Sequence, residues 1–180
     1  MLFALSLFAC DTAEDTATDS AVDSGTLPTI AAPSLVINEF LAKNDATNAD
    51  ANGEFDDWLE IYNYGDTIVQ LDGFFLSDDT AEPTKFPLPE GEGIEAGGYL
   101  LVWCDGEAAP DANGDLHTSF KLDKKGEVIY LTYSDGEQVG QADAVQWNAD
   151  QAADTAAARV PDGEKNWVLQ APTPEATNGG

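Results

Sequence analysis

Short apolar runs separated by turn residues recur along this chain at intervals of about 8–12 residues, the pattern of an antiparallel sandwich or barrel. Glycine, proline, asparagine and aspartate stand between the runs, and these residues favour turns. The predicted strands are residues 35–41, 58–62, 68–71, 74–76, 84–88, 99–104, 119–122, 128–133, 138–147 and 156–160. Only residues 149–158 favour a helix, and they lack an apolar stripe. We therefore expect an all-β fold in one domain.

The balance of charge excludes several classes of partner. The sequence has 34 acidic and 7 basic residues, which gives a formal net charge of −27. A chain this acidic is repelled by the phosphates of nucleic acids and by the headgroups of an anionic bilayer. Divalent cations and basic surfaces remain as partners. Because 43% of the residues are hydrophobic, the chain can still bury one core.

The first ten residues predict export to the cell envelope. Residues 1–9, MLFALSLFA, are apolar and uncharged, and Cys10 follows them. Nine residues are too few to cross a membrane as a helix, which needs about 20. The segment resembles the apolar region of a bacterial secretory signal that ends in a lipobox, and this implies that Cys10 is acylated. A plain signal peptide or an apolar tail is the alternative, and the choice between inner and outer membrane stays open.

Residues 10–33 are expected to form an acidic linker after the lipidated cysteine. The stretch contains aspartate and glutamate but no basic residue, and most of the remainder is threonine, alanine, serine and proline. Without apolar periodicity it cannot bury enough surface to offset the entropy lost on ordering. Like charges should keep it extended, so the sequence predicts a disordered tether for the domain that follows.

Several motifs beyond residue 34 resemble those of a known family. They are 36–40 (VINEF), 57–63 (DWLEIYN), 71–78 (LDGFFLSD), 94–99 (IEAGGY), 120–122 (FKL) before 126–127 (GE), and 159–163 (RVPDG). In this order they resemble the lamin tail domain family as it occurs in secreted bacterial proteins. The resemblance implies an immunoglobulin-like antiparallel β-sandwich over residues 34–175, with residues 176–180 as a C-terminal tail.

The resemblance also implies a module that binds rather than catalyses. Lamin tail domains bind partners in nuclear lamins, and in bacteria they accompany envelope proteins and secreted hydrolases. We therefore expect a non-catalytic binding or structural module on the bacterial cell envelope that contacts a protein or a glycan. The alternative is an accessory domain or a divergent secreted hydrolase, which would be Ca²⁺-dependent if the acidic loops hold an ion.

Two polar loops nearly repeat one sequence, Asp-Ala-Asn-Gly followed by an acidic residue, at 50–54 and 111–115. Each places oxygen-bearing side chains at alternate positions, as a hard cation prefers. The candidate Ca²⁺ ligands are Asp111, Asn113, Asp115, Asp50, Asn52, Glu54 and Asp56. Neither loop matches the twelve-residue EF-hand pattern. Ordinary turns use the same residues, so a plain turn is the alternative.

Catalytic motifs are sparse in this sequence. It contains no Gly-x-Ser-x-Gly elbow and no glycine-rich phosphate loop. Cys104 and the single histidine, His117, flank one loop and are the candidate nucleophilic pair of the hydrolase alternative. Packing as a small apolar residue is the expected role of Cys104, and a polar position at a strand start is expected for His117. The prediction is a protein that is not an enzyme.

Overall fold

The computed structural model describes residues 27–179, which form twelve strands and no helix. In chain order they are β1 Leu35–Leu41, β2 Trp58–Asn63, β3 Val69–Gln70, β4 Phe74–Ser77, β5 Phe86–Pro87, β6 Gly93–Ile94, β7 Tyr99–Trp103, β8 Leu116–His117, β9 Glu127–Ser134, β10 Val139–Trp147, β11 Ala156–Arg159 and β12 Trp167–Gln170. The all-β prediction is confirmed. Within this part of the chain, no helix could cross a membrane.

The strands form two main sheets and one small one. The larger sheet has the order β12-β11-β1-β2-β7-β8, the second has the order β10-β9-β4-β5, and β3 pairs with β6. All pairs are antiparallel except β7 with β8, which run parallel. Short β5 lies at a sheet edge, as predicted from Pro87, because proline cannot donate to a ladder.

Three sequence-based expectations about secondary structure are wrong. The stretch 149–158 forms no helix: 149–155 is a loop, and the rest lies in β11, which was predicted at 156–160 and whose pairing with β1 and β12 outweighs the helix propensity of alanine. The strand at 119–122 is replaced by a single bridge between Asp105 and Lys121. Strands β6, β8 and β12 were not expected, since all three are short and lack a clear apolar alternation.

The inner faces of the two main sheets pack together into one core. Its members include Ile37, Phe40, Leu59, Ile61, Phe74, Leu76, Ile129 and Leu131. Trp58 and Tyr99 do not belong to this core. Successive side chains of a strand point to opposite faces, so Trp58 joins a second buried cluster with Leu41 and Trp103. Tyr99 is only partly buried, and its ring packs on Tyr62.

Both ends of the described chain contact the domain. The expected linker 10–33 ends earlier in the structure, because the Gln141 N–H donates to the Pro28 carbonyl and Ile30 donates to the Gln141 carbonyl. Residues 10–26 and the predicted signal at 1–9 lie outside the described residues. At the other end, Asn178 of the expected tail is 4% exposed and its backbone N–H donates to Asp162.

Candidate functional site

The two repeated loops fold into the same turn. In the first, Asp50 Oδ1 accepts backbone N–H groups from Asn52 and Glu54, at 3.0 and 2.8 Å. In the second, Asp111 Oδ1 accepts the equivalent N–H groups, at 2.8 and 3.0 Å. The glycine of each loop has a positive φ, 85° at Gly53 and 89° at Gly114, which is costly for other residues. The repeated sequence therefore encodes a repeated Asx-type turn.

Strand pairing brings these two loops into contact. The first loop precedes β2 and the second follows β7, and Trp58 at the start of β2 pairs with Trp103 at the end of β7. The Ala51 N–H then donates to Asp111 Oδ2 across 3.2 Å. Two acidic loops that are remote in sequence thus share one end of the larger sheet.

The single histidine lies beneath these loops. His117 ends β8, and its side chain is 1% exposed. Its Nδ1 lies 2.5 Å from Asp105 Oδ2, and its Nε2 lies 3.7 Å from Asp111 Oδ2. Burial lowers the pKa of His117, but the hydrogen bond to Asp105 and the charges of Asp105 and Asp111 outweigh it and raise the pKa above its usual value.

Only part of the predicted Ca²⁺ ligand set converges. One group joins Asp50, Asp111 and His117, with one ligand atom from each lying within 4.8 Å of the others, and a second joins Asp50 with Glu54 and Asp56. Among the acidic residues that the structure describes, Asp115 belongs to no group of this kind, and both Asn113 and Asp115 are exposed. The side-chain amide of Asn52 donates to Asp50 Oδ2, at 3.2 Å, so its nitrogen faces that carboxylate.

The carboxyl groups in these loops do not titrate alike. Burial raises the pKa of Asp111, but N–H bonds from Asp115, Asn113 and Ala51 outweigh it and leave the pKa below its usual value. Burial and the charges of neighbouring acids raise the pKa of Asp56 and of Asp115. Of Asp56, Asp111 and Asp115, Asp111 is therefore the one held most firmly in its anionic form.

Sequence reasoning missed His117 and Asp105 as members of this site. A third converging group contains Asp105, Glu107 and His117. The available signal was the near repeat of the two loops, which suggested a shared role, but nothing local in the sequence places β8 beside β7.

The geometry gives no support to the Cys104–His117 pair as a nucleophile. Cys104 is a buried thiol whose Sγ lies 3.7 Å from the Val102 carbonyl, and burial raises its pKa far above the usual value. The two ring nitrogens of His117 face Asp105 and Asp111 instead. Reactive cysteines are partly exposed thiolates, so Cys104 has the environment of a packing residue, as expected.

A separate apolar groove lies between the two main sheets, at the ends of β10 and β12. It has a volume of about 330 Å³ and is lined by Phe40, Val145, Trp147, Ala157, Trp167 and Leu169, with polar side chains from residues 146, 148, 150 and 151. The Phe40 ring lies 4.4 Å from that of Trp147 and 5.8 Å from that of Trp167, between ring centroids. Leu169 is 72% exposed. Aromatic walls and an exposed aliphatic side chain are typical of a docking surface.

Comparison with protein families gives one match. The family model described as Lamin Tail Domain matches residues 28–149, a stretch that includes both acidic loops and His117. The matched family is an immunoglobulin-like, non-enzymatic domain family. A comparison with curated proteins finds no match. Because the match ends at residue 149, the groove lies partly beyond it: Trp147 is inside the match, whereas Trp167 and Leu169 follow it.

Proposed function

Because the chain belongs to the lamin tail domain family, whose domain is an immunoglobulin-like β-sandwich, we propose that it is a non-catalytic binding module displayed on the bacterial cell envelope as a lipoprotein. Its contact surface in this proposal is the groove between Trp147 and Trp167. The observation that carries the proposal is the exposed apolar wall of this groove beside an edge strand.

An extended, basic protein segment suits this groove better than a glycan does. Strand β12 lies at the edge of the larger sheet, so its outer backbone groups are available to pair with an added strand. Leu169 presents an aliphatic side chain, which favours apolar side chains over sugar hydroxyls. The net charge of −27 attracts a basic partner and speeds its association.

We expect Leu169→Asp to weaken binding to the groove by about tenfold or more, which corresponds to about 1.4 kcal/mol. The probe is a ten-residue peptide of alternating lysine and valine, followed through the fluorescence of Trp147 and Trp167, which line the groove. Ile68→Asp is the matched control, because Ile68 is also an exposed aliphatic residue, at 46%, and does not line the groove.

The same measurement separates the alternatives. If both variants bind the peptide as the native chain does, the groove is not the contact surface. If the native chain ignores the peptide but binds oligomers of N-acetylglucosamine, and Leu169→Asp abolishes this, the partner is a glycan and the protein assignment is wrong.

Membrane attachment in this proposal depends on Cys10, which lies outside the described residues. Acyl chains contribute about 0.8 kcal/mol per buried CH₂ group, whereas the acidic chain gives no attraction to an anionic surface. Cys10→Ser should therefore move the protein from the membrane fraction to the soluble fraction, and Cys104→Ser should not. Fractionation of Cys10→Ser with membranes, as for the native chain, would contradict the lipoprotein assignment.

A further inference from the structure

Three electron-pair donors converge where the repeated loops meet β8. They are one ring nitrogen of His117 and one carboxylate oxygen each from Asp50 and Asp111, all within 4.8 Å of one another, and Nε2 is the ring nitrogen that faces Asp111. His117 is 1% exposed, Asp50 is 8% exposed, and the side chain of Asp111 is 1% exposed. Two carboxylates held away from water beside an imidazole need a positive charge, which either a proton on the ring or a metal cation between the donors supplies.

The imidazole is oriented as in a metal-binding histidine. Its Nδ1 faces Asp105 at 2.5 Å, and a carboxylate on one ring nitrogen is the common partner of a histidine that ligates metal through the other. Its Nε2 is buried and has no hydrogen-bond partner among the described residues. This unpartnered nitrogen faces Asp111 Oδ2 at 3.7 Å, and it is an observation separate from the acidity of the loops.

The separation between His117 Nε2 and Asp111 Oδ2 favours a shared ion over a hydrogen bond. At 3.7 Å the two atoms are too far apart for a hydrogen bond. Two ligand atoms about 2.0–2.2 Å from one ion in tetrahedral geometry are about 3.4 Å apart. A small movement therefore brings both atoms onto one ion.

The loops hold the two carboxylates in place before any ion arrives. Oδ1 of each aspartate accepts two N–H groups of its own turn, and Oδ2 of Asp111 accepts the Ala51 N–H of the other turn. Fixed carboxylates lose little freedom when they coordinate an ion, which favours binding.

We propose that Asp50, Asp111 and His117 form a binding site for a divalent transition metal of the Zn²⁺ type, with Asp105 orienting the histidine. One nitrogen and two oxygen ligands suit Zn²⁺ and leave one position for water. Ca²⁺ takes six to eight oxygen ligands, so the imidazole argues against it. The site retains two residues of the sequence-predicted Ca²⁺ set and does not depend on the proposed binding function.

The test is zinc binding to the full chain without a polyhistidine tag, in the Cys10→Ser background so that Cys10 is not a ligand. We expect one Zn²⁺ per chain by titration calorimetry and a higher melting temperature on binding, because an ion bound only by the native state stabilises it. Because His117 is the single histidine, its ring nitrogens give unambiguous ¹⁵N resonances. Zinc should shift Nε2 while Nδ1 remains protonated.

Asp111→Asn keeps the Oδ1 acceptor of the turn but replaces Oδ2 by nitrogen, so we expect zinc affinity to fall by about tenfold or more. Asp115→Asn is the matched control, with the same change of charge in the same loop, and its affinity should stay within about twofold. Asp50→Asn tests the second carboxylate if Asp111→Asn unfolds.

Because the imidazole is a required ligand, an unchanged His117 ring spectrum in the presence of zinc overturns the proposal. So does equal zinc affinity in Asp111→Asn and the parent, or tighter binding of Ca²⁺ than of Zn²⁺.

Discussion

Replacing Arg159 with methionine is expected to lower the free energy of unfolding by about 3–5 kcal/mol, the cost of leaving one member of a buried ion pair alone. Arg159 is 5% exposed and connects the two sheets. From β11 its Nη2 donates to both oxygens of Asp143 on β10, at 3.0 and 2.9 Å, and its Nε donates to the Ile37 carbonyl on β1, at 2.7 Å. Methionine fills similar volume but removes every donor.

Urea unfolding of the native chain, Arg159→Met and the double variant Arg159→Met/Asp143→Leu measures this effect. Burial already raises the pKa of Asp143 more than the charge of Arg159 lowers it. Without the arginine, the carboxylate should be still harder to ionise, so the loss in Arg159→Met should be larger at about pH 8 than at about pH 5. The double variant removes the unpaired charge and should recover most of the stability. A loss below about 1 kcal/mol in Arg159→Met would contradict the assignment of this pair as the connection between the sheets.

Glu60→Gln is expected to stabilise the protein at alkaline pH, which is the second large effect. Glu60 lies fully buried in β2 opposite Glu39 of β1. Burial raises the pKa of Glu60 to about 8, against the lowering effect of the N–H bond from Glu175, and the charge of Glu39 raises it further. Its Oε1 has no hydrogen-bond partner in the described chain. An ionised carboxylate in this position is therefore unfavourable.

The direction of the pH effect follows from the raised pKa. A carboxyl group whose pKa is higher in the native state contributes stability that is complete below the unfolded value, 4.5, and is lost as pH rises through about 8. Glu60→Gln should thus unfold like the native chain at about pH 4 and be more stable at about pH 9, by roughly 5 kcal/mol at most. Glutamine retains the oxygen that accepts the Glu175 N–H.

Thermal unfolding across this pH range provides the measurement. Glu95→Gln is the control, since Glu95 is exposed and its replacement removes one negative charge without changing a buried group. If Glu60→Gln and Glu95→Gln shift the melting temperature equally at every pH, general charge repulsion explains the effect and the burial of Glu60 does not.

The sequence by itself determined most of the strands and both acidic turns. Strands β1, β2, β4 and β10 were predicted because their alternation of apolar and polar residues, or their continuous apolar character, is a property of neighbouring residues. The Asp-Ala-Asn-Gly loops at 50–53 and 111–114 were likewise predictable, because an Asx turn with a glycine forms within a few residues. The family resemblance from motifs such as 57–63 was confirmed by the match over 28–149.

Only the tertiary structure decided which of these local features meet. Ala51 and Asp111 are 60 positions apart in the sequence, and they touch because β2 pairs with β7. His117 joins them through the parallel pairing of β7 with β8, a strand of two residues. The hydrophobicity of Trp58 predicts that the residue is buried, but only strand pairing decides that it lies on the face with Leu41 and Trp103. Turns and strands arise from interactions between neighbours in sequence, whereas the site and the core arise from strand pairing across long loops, which no local pattern encodes.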